Sequence, residues 1–377
     1  MAGIYVHIPF CSQACHYCDF HFSTNLKPKS EMVQSIIREL DLRKDYLKNE
    51  KVESVYFGGG TPSLLDKDEL QSIMDQIRKL YDLSPVSEIT LEANPEDLSL
   101  PKLEELRSLG VNRLSIGIQT FHEETLQFMN RAHNSSEAEN CLIDARKVGF
   151  DNVSTDLIFA VPPTETSIQR FSQDIDRLLS HGPEHISLYS LTIEPKTVFG
   201  NRYAKNELKS VADEINAIQY EMAIDRLTTS GYEHYEVSNF GKPDFYSRHN
   251  SSYWFSQIYL GVGPGAHSFN GTSRAYNVSN NAIYIKSLTN DKLALTEELL
   301  TKQDQLNEYV LTRIRTKWGI SFTDLNEIYG ADFRMHRTYI ENLISERRAT
   351  LQDDILRLTS RGLCIADEIA LHFFSTE

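Results

Sequence analysis

The chain reads as an α/β protein: a partial (β/α)6 barrel of TIM type, followed by a mostly helical, winged-helix-like C-terminal domain. Three observations lead there. From residue 3 to about 240, strand-like runs alternate with amphipathic helical stretches. The strands are nearly continuous in apolar residues, as expected for a parallel sheet with helical crossovers. From about Thr301 the order changes to helix, helix, helix and then a short hairpin leading into a helix. A doubly wound sheet is the alternative for the first part. In either architecture chemistry belongs at the C-terminal ends of the strands, where the loops converge.

In order, the strands are "IYVHI" (4–8), "SVYFGG" (54–59), "EITLEAN" (88–94), "RLSIGIQ" (113–119), "VSTDLIFAV" (153–161) and "HISLYSL" (185–191). Helical patterns fall between them at Glu31–Leu47, Asp68–Leu80, Leu100–Leu109 and Ser136–Val148. In the first, Met32, Ile36, Leu40 and Leu47 recur at helical spacing, with Ser30 placed as the N-cap. The chain divides into 1–240, the barrel core; 241–300, an extension; and 301–377, the C-terminal domain. A winged helix invites a DNA-binding reading, but the mixed charge offers no basic recognition helix. A packing or lid role fits better.

The 377 residues are 40% hydrophobic and 24% charged, an ordinary balance for a globular protein. A formal charge of −15 argues against general nucleic-acid binding, which rests on phosphate contacts. No signal peptide is legible, and no uncharged run reaches the roughly 18 residues of a membrane span. The cytoplasm is the expected compartment. There, clustered cysteines bind metal or do redox chemistry more often than they form disulfides. Cys141 and Cys364, in apolar-periodic runs, read as small core residues.

The other three of the five cysteines lie in "PFCSQACHYCDF" at C-x3-C-x2-C spacing. Four thiolates would read as structural zinc. Three suit three irons of a cubane [4Fe–4S] cluster and leave the fourth iron open. His7, His16 and His21 keep a Cys3His zinc site in consideration, whereas the aromatics Tyr5, Phe10, Tyr17 and Phe20 favour the cluster. Further polar residues sit at strand ends: "GGGTP" (58–62), Glu92, Asn94 and Gln119. Asp156 interrupts an apolar strand, which is costly unless the carboxylate is satisfied.

"IYVHIPFCSQACHYCDF" resembles the cluster loop of the radical S-adenosylmethionine (SAM) superfamily. Within it, "YVHIPFC" is similar to the oxygen-independent coproporphyrinogen oxidase group, over nearly the whole chain. The resemblance implies that Cys11, Cys15 and Cys18 hold a [4Fe–4S] cluster whose open iron is chelated by the amino and carboxylate groups of SAM. It implies an electron donor such as a flavodoxin or ferredoxin, and reductive cleavage to a 5′-deoxyadenosyl radical. Gly58, Gly59, Gly60 and Thr61 would hold the methionyl amine, and Glu92 would accept from that ammonium. Gln119 and Asp156 match binders of the ribose hydroxyls, Arg131 matches the partner of the SAM carboxylate, and Tyr5 would pack beside the cluster. Read without the resemblance, these are a tight turn, a solvated carboxylate and a surface arginine. One segment departs: "DLIFAVPPTET" stands where the family usually has "DLIYGLPGQT", so Ala160 and Pro163 replace glycines.

The group contains haem chaperones, which deliver haem to client haemoproteins such as respiratory enzymes, and oxidative decarboxylases of coproporphyrinogen. The decarboxylases carry a further cysteine where this chain has Phe20, and an extension before the cluster, whereas Cys11 here is near the first residue. The segment "RHNSSYW" (248–254) matches the H-N-x-x-Y-W signature of the chaperones, which implies haem contacts by His249, Asn250, Tyr253 and Trp254. Lys242 and Arg248 would form a basic patch for propionates. On residues alone His249 is an ordinary histidine in a polar loop. His267, in "GVGPGAHSF", is a second candidate ligand.

Overall fold

The computed structural model describes residues 2–48, 50–84 and 86–374. Six strands, β1 (Ala2–Ile8), β2 (Val52–Gly59), β3 (Glu88–Ala93), β4 (Arg113–Gln119), β5 (Val153–Phe159) and β6 (His185–Ser190), pair in chain order and all in parallel. A doubly wound sheet would reverse its order at a switch point; this one does not. The result is the expected partial barrel.

Both edges of the six are extended. β7 (Glu233–Glu236) and β8 (Asn239–Gly241) form a hairpin whose β8 lies antiparallel to β6. On the other side β9 (Ile258–Val262) runs parallel to β1, followed outward by antiparallel β10 (His267–Phe269), β11 (Ser273–Asn277) and β12 (Leu295–Leu299). Of these additions only the glycine-rich run "GVGPGAHSF" (261–269) was legible as a strand end; the others, three to five residues long, carry little periodic signal.

The crossover helices bury one stripe each. Lys67–Leu80 starts from a capping box between Asp66 and Glu69 and ends with Arg78 and Lys79, and it buries Leu70, Ile73, Met74 and Ile77. The first helix differs from its sequence pattern. It spans Lys29–Leu42, so Ser30 lies inside it rather than capping it, and Leu47 reaches the core from the turns beyond. The chain leaves the helix at Arg43, whose guanidinium turns inward to Gly261 O (2.9 Å) and Ser268 Oγ (3.0 Å).

That arginine belongs to a buried network. Glu39 pairs with Arg43 at 3.0 Å and accepts from Asn277 Nδ2 (2.8 Å), Gly263 N (2.9 Å) and the Tyr284 hydroxyl. It ties the first helix to β9, β11 and the helix Asn281–Thr289.

Beyond residue 301, the helices Lys302–Arg313, Phe322–Tyr329, Arg337–Ser345 and Ala366–Phe373 surround their own core, including Leu306, Val310, Leu325, Leu343, Leu356 and Ile369. A small sheet of β13 (Ile320–Ser321), β14 (Ala349–Gln352) and β15 (Ile355–Leu358) forms the wing. This region docks through Val237 N to Arg315 O and Lys317 N to Tyr235 O, both 2.9 Å. Cys141 is buried, its thiol donating to Ala138 O. Cys364 is not a core residue as its pattern implied: it is exposed just past the short helix Ser360–Leu363. Among the described residues no helix is long and apolar enough to cross a membrane.

Removing Glu39 would strand a buried guanidinium, whereas Arg38 pairs with Asp291 in the open. Glu39→Ala is expected to cost about 3–5 kcal/mol of unfolding free energy, and Arg38→Ala far less, because water screens its pair, by urea titration. Similar losses for the two would contradict the role given to the network.

Candidate functional site

The three thiols lie in a loop clamped from two sides. On one, Gly60 N donates to Ile8 O (2.8 Å), Thr61 N to Phe10 O (2.6 Å) and Cys11 N to Ser23 O (3.1 Å). On the other, His16 N donates to Met129 O (3.0 Å), Asn130 Nδ2 to Ala14 O (2.7 Å) and Gln13 Nε2 to Asn130 O (2.9 Å). The loop therefore bridges the end of β2 and the segment 128–131.

Cys11, Cys15 and Cys18 are half-buried and none is in a disulfide. The Thr61 hydroxyl donates to Cys11 Sγ and Arg131 Nη1 to Cys15 Sγ, each at 3.4 Å. Burial pushes the Cys18 thiol up to about 11, so its thiolate needs a bound cation to form at neutral pH. The neighbouring histidines are engaged elsewhere. His7 Nε2 donates to His21 O, His16 Nδ1 to Phe128 O and His21 Nε2 to Asn281 Oδ1. Among the described residues no three His, Cys, Asp or Glu side chains gather round one ion. The three thiols are the donor set that the loop offers, and three fit a cubane with one open iron.

The glycines of "GGGTP" make this clamp possible. A Cβ on Gly60 would stand 2.6 Å from Phe10 O, and one on Gly58 2.9 Å from the Tyr5 ring. Gly59 has φ +111 and abuts the His7 ring. The space left by the missing side chains is thus filled by Tyr5, His7 and Phe10 of the protein itself.

The other candidate residues converge nearby. Glu92 accepts from the Tyr56 hydroxyl (2.8 Å) and from Gly59 N (3.1 Å). Burial pushes its carboxyl from 4.5 up to about 7, against the pull of Tyr56. Burial likewise raises Asp156 to about 6, opposed by hydrogen bonds to Ser187 and Ser115. Gln119 closes β4 at φ +65, and its amide lies over Gly117. Arg131 is not a surface arginine: Nη2 donates to Asn94 Oδ1 (2.7 Å) and Gly117 O (2.9 Å), while its buried Nε has no partner among the described residues. Two buried carboxylates and a buried, incompletely partnered guanidinium thus lie in this part of the barrel.

Two residues here escaped sequence reasoning. Arg113 is fully buried at the start of β4, and its charge favours ionised Glu92 and Asp156. Its Nε and Nη1 have no hydrogen-bond partner among the described residues. An arginine opening the apolar run "RLSIGIQ" was the available signal. Tyr56 gave none. At the departing segment, Ala160 adopts φ +57, held by its N–H donating to Gln219 Oε1 (2.7 Å).

His249 does not lie in a polar loop. It sits on the helix Arg248–Trp254, fully buried against β1 and β2. Its Nδ1 pairs with Ser54 Oγ (2.9 Å), its Nε2 with the Tyr253 hydroxyl (2.8 Å), and its ring stacks on Tyr56 at 5.0 Å. Burial, with Arg113, lowers the imidazole to about 3. Both nitrogens are used, so this conformation offers no axial ligand from His249. Asn250 and Trp254 are half-buried on the same helix. Lys242 donates to Gly182 O (2.7 Å), and the buried Glu88 carboxylate accepts from the backbone N–H of Arg248 and His249 at the start of this helix.

Tyr253, however, reaches a second hollow. This cavity of about 720 Å³ lies between β1, the β9–β11 extension and the helix Lys302–Arg313. Tyr5, Phe20, Tyr253, Tyr259, His267 and Phe269 are among its walls, whereas Gly58–Gly60, Glu92, Gln119, Arg131 and Asp156 are not. His267 is exposed.

Residues 5–175 match the Radical SAM superfamily, and residues 300–365 match the HemN C-terminal domain. The chain is 33% identical over 367 residues to the Heme chaperone HemW of Lactococcus lactis, covering 97% of this chain and 95% of the relative. It is 33% identical over 373 residues to the Heme chaperone HemW of Bacillus subtilis, covering 98% of each. Among solved structures, coproporphyrinogen III oxidase (HemN) from Escherichia coli matches its fold with a TM-score of 0.85 at 22% identity, over 100% of this chain and 90% of that one.

The Glu92 carboxyl generates a prediction of its own. Its folded value of about 7 exceeds the ordinary 4.5, so its favourable contribution holds below about 4.5 and is lost as pH rises through about 7. In ligand-free protein, Glu92→Gln should gain stability relative to wild type between about pH 5 and 8. A difference in urea midpoint that stays constant over that range would contradict the assignment.

Proposed function

Since this chain belongs to the radical SAM superfamily, in the group that includes the haem chaperones HemW, we propose that it binds haem and passes it to client haemoproteins. The observation that carries this reading is the near end-to-end relation to those chaperones. It is supported by Phe20, which fills the position of the decarboxylases' further cysteine and is 71% exposed.

As in its family, the cofactors are a [4Fe–4S] cluster and SAM. When reduced, the cluster supplies one electron. We assign the cluster to Cys11, Cys15 and Cys18, with Thr61 and Arg131 placing hydrogen-bond donors on two of the sulfurs. In the SAM pocket Arg131, fixed by Asn94 and Gly117, turns its free Nε edge to the carboxylate. Glu92 and the Gly58–Thr61 turn receive the ammonium, with Tyr5 packed alongside. Asp156 and Gln119 receive the ribose hydroxyls. An electron donor such as a flavodoxin or ferredoxin would serve the cluster. On this reading residues 1–240 hold the cofactors, 241–300 face the haem, and 301–377 cover the cavity.

The fold shared with HemN keeps coproporphyrinogen oxidation as the second reading. Anaerobically purified protein, with iron and sulfide counted, separates the two. Haemin titration should saturate near one equivalent, and coproporphyrinogen III with SAM and reductant should stay unconverted. Protoporphyrinogen in that assay would replace the carrier by the decarboxylase. Arg131→Ala should weaken SAM binding by about 2–5 kcal/mol, and Asp156→Asn by less, because an amide still meets a hydroxyl. Unchanged calorimetric affinity in both variants would remove the pocket assignment.

A further inference from the structure

Resting on the haem-carrier reading, we propose that haem lies in the cavity between β1 and the β9–β11 extension, with His267 as its iron ligand and Arg274 as the partner of a propionate. Neither residue belongs to the H-N-x-x-Y-W segment. The volume of about 720 Å³ falls within the roughly 300–1,000 Å³ usual for cofactor-sized ligands. Its aromatic walls, Phe20, Tyr253, Tyr259 and Phe269, suit the faces of a flat macrocycle.

The histidines that line the cavity or flank it differ in what they have left to give. His249 is buried with both nitrogens paired. His7 donates from Nε2 to His21 O and meets the Tyr5 hydroxyl at Nδ1. His21 spends Nε2 on Asn281. The His267 ring has no hydrogen-bond partner among the described residues; it rests on Tyr276 with ring centres 5.6 Å apart. Its backbone is fixed, since a Cβ on Gly261 would stand 1.9 Å from His267 O. Burial, and then Arg274, lower the imidazole from its ordinary value, so it is present as the neutral, ligating form.

Arg274 lines the same cavity and pairs with Glu308 of the covering helix at 2.9 Å. A propionate would take the place of Glu308 on that guanidinium. At the iron, the imidazole nitrogen donates its lone pair, and the water or hydroxide carried by free haemin leaves. The iron keeps its oxidation state.

The test is a titration of the anaerobically purified protein with haemin, read as Soret difference spectra and electron paramagnetic resonance of the ferric iron. His267→Ala should lose the nitrogen-ligated signature and raise Kd at least about tenfold. Arg274→Gln should keep that signature but raise Kd about tenfold, and its deficit should vanish with haemin dimethyl ester, which lacks the charged propionates. Wild-type protein that binds no haemin would overturn the carrier reading and this inference together. Wild-type binding with an unchanged spectrum and affinity in His267→Ala, or a signature lost with His21→Ala instead, would overturn the inference and leave the carrier reading in place.

Discussion

The close approach of Phe10 to Gly60, with no room for a Cβ between them, is the constraint on which the top of the barrel depends. It lets Thr61 N reach Phe10 O, which brings the Thr61 hydroxyl onto Cys11. The same turn carries Gly59 N to Glu92 and thereby fixes that carboxylate. A side chain at Gly60 would meet backbone, which cannot swing aside as a flexible side chain could. The cluster loop, the turn after β2 and the end of β3 are in this sense one unit.

Charge is managed on the same scale. Glu92 and Asp156 share a barrel interior with Arg113 and Arg131; burial, and for Glu92 also repulsion from Asp156, lifts both acids above their ordinary range. The cations and hydroxyls around them recover part of that cost. Such a set is stable enough to fold yet incompletely satisfied, with nitrogens of both arginines lacking partners among the described residues. Unsatisfied buried donors are expensive in a purely structural core. In a pocket they mark where a polar ligand completes the bonding.

The molecule also separates its two binding tasks. The strand ends of β2 to β5 present charge, whereas the cavity beside β1 presents aromatic faces, an open imidazole and one cation–carboxylate pair. Tyr5 touches both: it lies against Gly58 on one side and lines the cavity on the other. The buried Glu39–Arg43 network holds the β9–β11 wall in place against the first helix.

By itself the sequence determined the repeating strand–helix pattern, the parallel barrel and the three-thiol loop. Those signals are local: apolar periodicity, capping residues and cysteine spacing all act within a few residues of one another. It also placed Glu92 and Gln119 at strand ends and Asp156 inside an apolar strand. What it could not determine was which side chains face one another across the sheet. His249 lies in a polar-looking segment, yet Ser54 and Gly3 from distant strands enclose it and take up its chemistry. His267, in a run that reads as a glycine-rich strand end, is left open because β10 sits at the rim of a cavity closed by a helix about forty residues later. Cys364 has a core residue's pattern and a surface position. Availability of a side chain is set by its neighbours in space, and those are chosen by tertiary packing.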